Sequence, residues 1–142
     1  MRKIIIFAIV LLGFVGCYDY NAGATLQTVQ LRVESYEWTC DGDFFYAEFT
    51  MPEITEDVFD YGEVKAYLVS NRMDYNYAQK NLLPYTLHKY DGEFLYTQTI
   101  DFEYGIKWAR VYYTISDFTY EGNPPAMEFD VVITTPQDPI KK

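Results

Sequence analysis

The sequence predicts an all-β domain, an antiparallel two-sheet β-sandwich of immunoglobulin-like type with about seven strands. Two observations carry this. Apolar and polar residues alternate with period two through most of the chain after residue 25, the mark of half-buried strands. Turn pairs such as Asp41-Gly42 and Asp91-Gly92 separate those runs, and neighbours joined by such short turns are antiparallel. Almost no helix is expected. A small closed β-barrel is the alternative arrangement of the same strands.

Each element follows in order. Leu26 to Thr39 reads as one long strand or two joined ones, with Val29, Leu31 and Val33 on one face and Gln30, Arg32 and Glu34 on the other. After the Asp41-Gly42 turn, Phe44 to Met51 places Phe45, Ala47, Phe49 and Met51 on one face, and Pro52 ends the run. Ile54 to Gly62 is acidic and does not alternate. It is expected to form a helical turn or loop whose Val58, Phe59 and Tyr61 cap the core. Glu63 to Ser70 is the next strand, with Val64, Ala66 and Leu68 inward.

Residues 71–80 read as a polar loop. Leu82 to Tyr90 looks extended, with Pro84 marking an edge or a bulge because proline cannot donate to a ladder. Beyond Asp91-Gly92, Glu93 to Glu103 sets Phe94, Tyr96, Ile100 and Phe102 on one face and Thr97, Thr99, Asp101 and Glu103 opposite. Gly105 marks a tight connection into Lys107 to Asp117, where Ala109, Val111, Tyr113 and Ile115 share a side. Met127 to Thr134 closes the domain with Met127, Phe129, Val131 and Ile133 inward. The expected organisation is a leader over 1–16, a tether over 17–25, one sandwich over 26–136 and a tail over 137–142.

The leader reading rests on size. Met1-Arg2-Lys3 is cationic and Ile4 to Val15 is apolar. At about 1.5 Å per helical residue that run falls short of about 30 Å of bilayer hydrocarbon, and it matches the apolar region of a secretory signal. Phe14-Val15-Gly16-Cys17 resembles a bacterial lipobox, in which the cysteine is acylated and becomes the N-terminus; a signal peptide cut nearby without acylation is the plainer alternative. Tyr18 rather than Asp after the cysteine implies outer-membrane sorting. Acylation of Cys17 leaves Cys40 as a single thiol, expected to be buried because free cysteine behaves as a small hydrophobe.

Removal of residues 1–16 leaves nine basic against 21 acidic side chains, a formal charge of −12. Such a surface repels nucleic-acid phosphates and anionic lipid headgroups. No motif supplies a nucleophile, base or phosphate loop, and His88 is the only histidine, so no enzymatic role, cofactor or metal is expected. The acids Asp41, Asp43, Glu53, Glu56, Asp57 and Asp60 lack the spacing of a calcium loop and read as solvated charge.

The candidate ligand-binding residues are Trp108, Arg110 and Tyr112, on the face opposite Val111 and Tyr113, with Arg72, Tyr75 and Tyr77 from the loop. Tyr36 and Trp38 form a similar alternation with Glu34. Flat rings beside guanidinium and carboxylate groups suit a sugar or a peptide. Packing under loops is the competing use of the same rings.

The segments Leu82–Thr86 (LLPYT), Tyr96–Phe102 (YTQTIDF) and Met127–Thr134 (MEFDVVIT), together with the lipobox, resemble small outer-membrane lipoproteins of Bacteroidetes with an all-β domain. The resemblance implies an outer-membrane lipoprotein facing the periplasm or the cell surface and transfers no active site. The expected role is therefore non-catalytic binding or assembly with an envelope protein or a glycan. An enzyme acting on envelope or extracellular carbohydrate is the alternative.

Overall fold

The computed structural model describes residues 23–71, 78–116 and 122–136. The leader, Cys17, most of the tether and the 137–142 tail lie outside the described residues. Among the described residues there are nine strands: β1 Thr25–Val33, β2 Thr39–Asp41, β3 Phe44–Thr50, β4 Glu63–Asn71, β5 Ala78–Leu82, β6 Tyr85–Tyr90, β7 Leu95–Gly105, β8 Trp108–Ile115 and β9 Met127–Thr135. A short helix, α1, spans Glu56–Tyr61, and a 3-10 turn spans Ser35–Glu37.

The strands form two antiparallel sheets, four strands in the order β1-β9-β4-β5 and five in the order β2-β3-β8-β7-β6. Each sheet keeps two edge strands, so the pair is a sandwich and does not close into a barrel. β1 runs along β9 for its whole length, from Thr25 opposite Thr135 to Val33 opposite Met127. In the five-stranded sheet, β6, β7 and β8 form a meander, and β3 joins the far side of β8.

Period-two patterning explains the core. Val33, Phe45, Ala66, Ile100, Val111, Phe129, Val131 and Ile133 all point between the sheets and are buried. Each large apolar side chain removed from water in this way contributes about 1.5–3 kcal/mol. One end of the sandwich is closed by α1. Thr55 caps it by accepting the Val58 N–H at 3.3 Å, and Glu56 and Asp57 stand in its first turn, where the helix dipole favours acids. The helix stops at Gly62, where a side chain would lie 2.5 Å from the Thr134 carbonyl oxygen.

Nine strands stand where about seven were expected, because two long runs divide. The Leu26–Thr39 run is broken by the Ser35–Glu37 turn, where the Glu34 N–H donates to the Glu37 carboxylate at 2.7 Å. The Leu82–Tyr90 run contains a crossing between sheets at Leu83-Pro84, a cis peptide, with the Leu83 N–H donating to Ala66 O at 2.9 Å. The expected 71–80 loop supplies Ala78 to Lys80 as the start of β5.

Other expectations are corrected. Of the three proposed core caps only Val58 is buried; Phe59 and Tyr61 are about half exposed. Phe94 is 67% exposed because it belongs to the turn before β7, where Asp91 accepts the Glu93 and Phe94 N–H groups at 2.9 and 2.8 Å. Trp38 does not pair with Tyr36 as a surface aromatic. It is buried against Tyr113 and donates its indole N–H to Pro125 O at 3.1 Å, while Tyr36 is exposed. Cys40 is exposed, not buried, because three-residue β2 is an outer edge with no described strand paired beyond it.

Candidate functional site

On β8, alternation turns Trp108, Arg110, Tyr112 and Thr114 outward, away from buried Ala109, Val111 and Tyr113. Register then sets their neighbours. Arg110 lies between Glu48 of β3 and Glu103 of β7, and Tyr112 lies between Tyr46 and Asp101. Trp108 lies between Thr50 and Gly105.

The Arg110 guanidinium is the hub. Its Nη2 and Nε donate to Glu48 Oε2 at 2.5 and 3.2 Å. Its Nη1 reaches the Tyr112 hydroxyl at 3.1 Å and Glu103 Oε1 at 3.4 Å, and the Tyr112 hydroxyl in turn donates to Glu103. The guanidinium carbon also sits 5.0, 5.7 and 5.9 Å from the ring centres of Tyr46, Trp108 and Tyr112, within cation–π range. Hydrogen bonds to Tyr112 and then Glu48 raise the Arg110 pKa, so the group is a permanent cation. Partial burial and the bond to Glu103 raise the Tyr112 pKa and keep its phenol protonated.

Trp108 owes its pose to a glycine. A Cβ at Gly105 would lie 2.5 Å from the indole Nε1, so the ring rests on glycine backbone across the β7–β8 hairpin. The turn beneath it is clasped to the neighbouring segment: Lys107 N–H donates to Ile54 O at 2.8 Å and Lys107 O accepts from Met51 N–H at 2.9 Å. Further along the face, Phe44 meets Tyr112 edge-on at 5.5 Å. A depression of about 360 Å³ lies between Phe44, Asp101, Glu103, Tyr112 and Thr114.

The outer face of the other sheet differs in its charge balance. It carries three cations, Arg32, Lys65 and Lys80, and four carboxylates, Glu34, Glu63, Glu128 and Asp130. All seven are paired: Arg32 with both Glu34 and Glu128, Lys65 with Glu63, and Lys80 with buried Asp130 at 2.6 Å. Among the described residues the five-stranded face carries one cation, Arg110, against Asp41, Glu48, Asp101 and Glu103. Among the described residues, the exposed carboxylates of Asp41 and Asp101 have no partner.

Of the six ligand-binding candidates, the structure brings Trp108, Arg110 and Tyr112 together. Arg72, Tyr75 and Tyr77, like the lipidation candidate Cys17, lie outside the described residues. Tyr46, Glu48 and Phe44 complete the cluster. Their outward parity was visible in the alternation of β3, but β3 and β8 lie about 60 residues apart in sequence, so their adjacency was not. His88 is exposed on edge strand β6 opposite Thr97, with no carboxylate paired to it among the described residues. No group of three or more His, Cys, Asp or Glu is arranged to hold a metal ion among the described residues. No described helix is long and apolar enough to cross a membrane. No family model, curated protein or solved structure matches this chain.

Proposed function

We propose that this chain is a lipid-anchored protein of the cell envelope that binds a protein or glycan partner through the outer face of the five-stranded sheet. The observation that carries the binding assignment is the Arg110 cluster, three rings and two carboxylates held in one geometry by a single guanidinium on an open face. Preorganised rings and polar groups reduce the ordering cost of association. The anchor assignment is supported by the apolar run ending at Cys17 and by its likeness to a lipobox.

Placement of the chain end is compatible with both roles. Thr25 pairs with Thr135, Thr134 pairs with Glu63 just after α1, and the Lys107 turn bonds to Ile54 just before α1. The chain therefore enters the sandwich at the end where Trp108 sits. The eight residues from Cys17 to Ala24 reach at most about 28 Å when extended. An anchored domain would hold Trp108 toward the membrane and the β6–β7 hairpin away from it.

Two measurements test this. Metabolic labelling with a radioactive fatty acid should mark the wild type and leave Cys17→Ser unlabelled; equal labelling of both overturns the anchor. Envelope extracts passed over the wild type and over Trp108→Ala should yield a ligand retained only by the wild type. Equal retention by a folded Trp108→Ala protein overturns the binding face.

A further inference from the structure

We infer that the partner of the five-stranded face is a cationic protein segment, one presenting lysine or arginine side chains in extended conformation. This rests on the binding face proposed above and names the chemistry that fits it. Arg110 offers little free positive charge to a ligand, since Glu48, Glu103 and the Tyr112 hydroxyl take four of its five N–H donors. What remains for an incoming group, among the described residues, is excess carboxylate: Asp41 and Asp101 unpaired, and Glu48 and Glu103 sharing one guanidinium. The rings of Tyr46, Trp108 and Tyr112 stand among these acids with the Arg110 guanidinium over them, so an incoming cation meets only the ring area that Arg110 leaves open.

Charge disfavours acidic occupants. A second copy of this chain, with a formal charge of −10, would bring like charge to an acidic face. Anionic headgroups, nucleic acids and acidic glycans are repelled in the same way. Spacing favours an extended segment. Asp101 and Glu103 share a face of β7 two residues apart, about 7 Å, which is the separation of alternate side chains on an extended peptide. On the four-stranded face each carboxylate contacts a cation within the fold, so of the two faces it is the five-stranded one that keeps unpaired carboxylate among the described residues.

The test is a titration of the full chain in neutral detergent micelles, followed by NMR through the indole N–H signals of Trp108 and Trp38. The probes are ten-residue peptides alternating glycine with lysine, serine or glutamate, and a neutral glucose hexasaccharide. The lysine peptide is expected to shift Trp108 and not Trp38. Its affinity should fall about tenfold or more between 50 and 200 mM salt, since exposed charge attraction is screened over about 10 Å at these ionic strengths. Asp101→Asn with Glu48→Gln should weaken it about fivefold, while Glu63→Gln on the other sheet leaves it unchanged. Equal weakening by Glu63→Gln would reduce the effect to net charge and overturn the inference. A Trp108 shift caused by the serine peptide or the hexasaccharide, and not by the lysine peptide, keeps the binding face and overturns the cationic partner. No shift with any probe overturns the cationic inference; the face then stands or falls on the Trp108→Ala retention experiment.

Discussion

The two outer faces of the sandwich use the same device to different ends. On each, a cation reaches across a strand boundary to a carboxylate: Lys80 to Asp130 on the four-stranded sheet, Arg110 to Glu48 and Glu103 on the five-stranded one. Asp130 is 5% exposed and Lys80 belongs to edge strand β5, so that pair fastens an edge to the centre of its sheet and uses both charges fully. The Arg110 cluster is open, outnumbered by carboxylates and ringed by aromatics. Pairing on the first face completes the fold; on the second it arranges a surface and leaves charge over. A face on which every carboxylate meets a cation serves the fold, and one with carboxylates left over is available.

The largest expected effect lies on the structural face. Lys80→Met leaves the buried Asp130 carboxylate without its cation and should destabilise the protein by about 1–3 kcal/mol in chemical denaturation. Adding Asp130→Leu should restore most of that loss, because removing both partners removes the desolvation penalty. If the single variant is as stable as the wild type, the contrast between the faces collapses.

Next is Gly105→Ala, which places a methyl group where the Trp108 indole lies. It should cost about 1 kcal/mol through the steric conflict and move the Trp108 indole N–H resonance, while Trp38, bonded to Pro125 O, keeps its own. An unchanged Trp108 signal would show that the glycine does not set the ring.

A smaller change involves no stability. Native protein should be alkylated at Cys40 by a soluble maleimide without denaturant, since the thiol is exposed on β2. Protection until unfolding would contradict the edge assignment.

The smallest is a pH effect at the β6–β7 turn. Backbone N–H groups of Phe94 and Glu93 hold the Asp91 pKa below its ordinary value. A depressed folded value means the contribution is complete above the unfolded value, about 4, and is lost as pH falls through the lower folded value. NMR titration should place the Asp91 midpoint below that of a model peptide, with the Phe94 and Glu93 amide signals shifting over the same range. A midpoint at the peptide value would remove the turn's hydrogen bonds from the account.

Legibility in the sequence followed the range of the cause. Inward residues of the regular strands, such as Val111, Phe129 and Val131, were visible because period-two alternation is local. Phe94 was misplaced because the Asp91 side chain captures the next backbone N–H groups and turns the chain, suspending the alternation that would have buried the ring. Trp38 and Trp108 show the limit most directly. Both sit in alternating runs as surface rings, yet Pro125 and Tyr113 converge on one, while the other lies over the backbone of Gly105.

By itself, then, the sequence determined an all-β chain, its main turns, the inward parity of its core, and the outward parity of Trp108, Arg110 and Tyr112, because side-chain direction along a strand depends on nearest neighbours alone. Only the tertiary structure decided that Leu82 to Tyr90 belongs to two sheets, that Glu48 and Glu103 flank Arg110, and that each carboxylate of one face meets a cation while the other keeps unpaired acid. Those facts depend on which strands lie side by side, and strand adjacency is set by contacts between residues far apart in the chain.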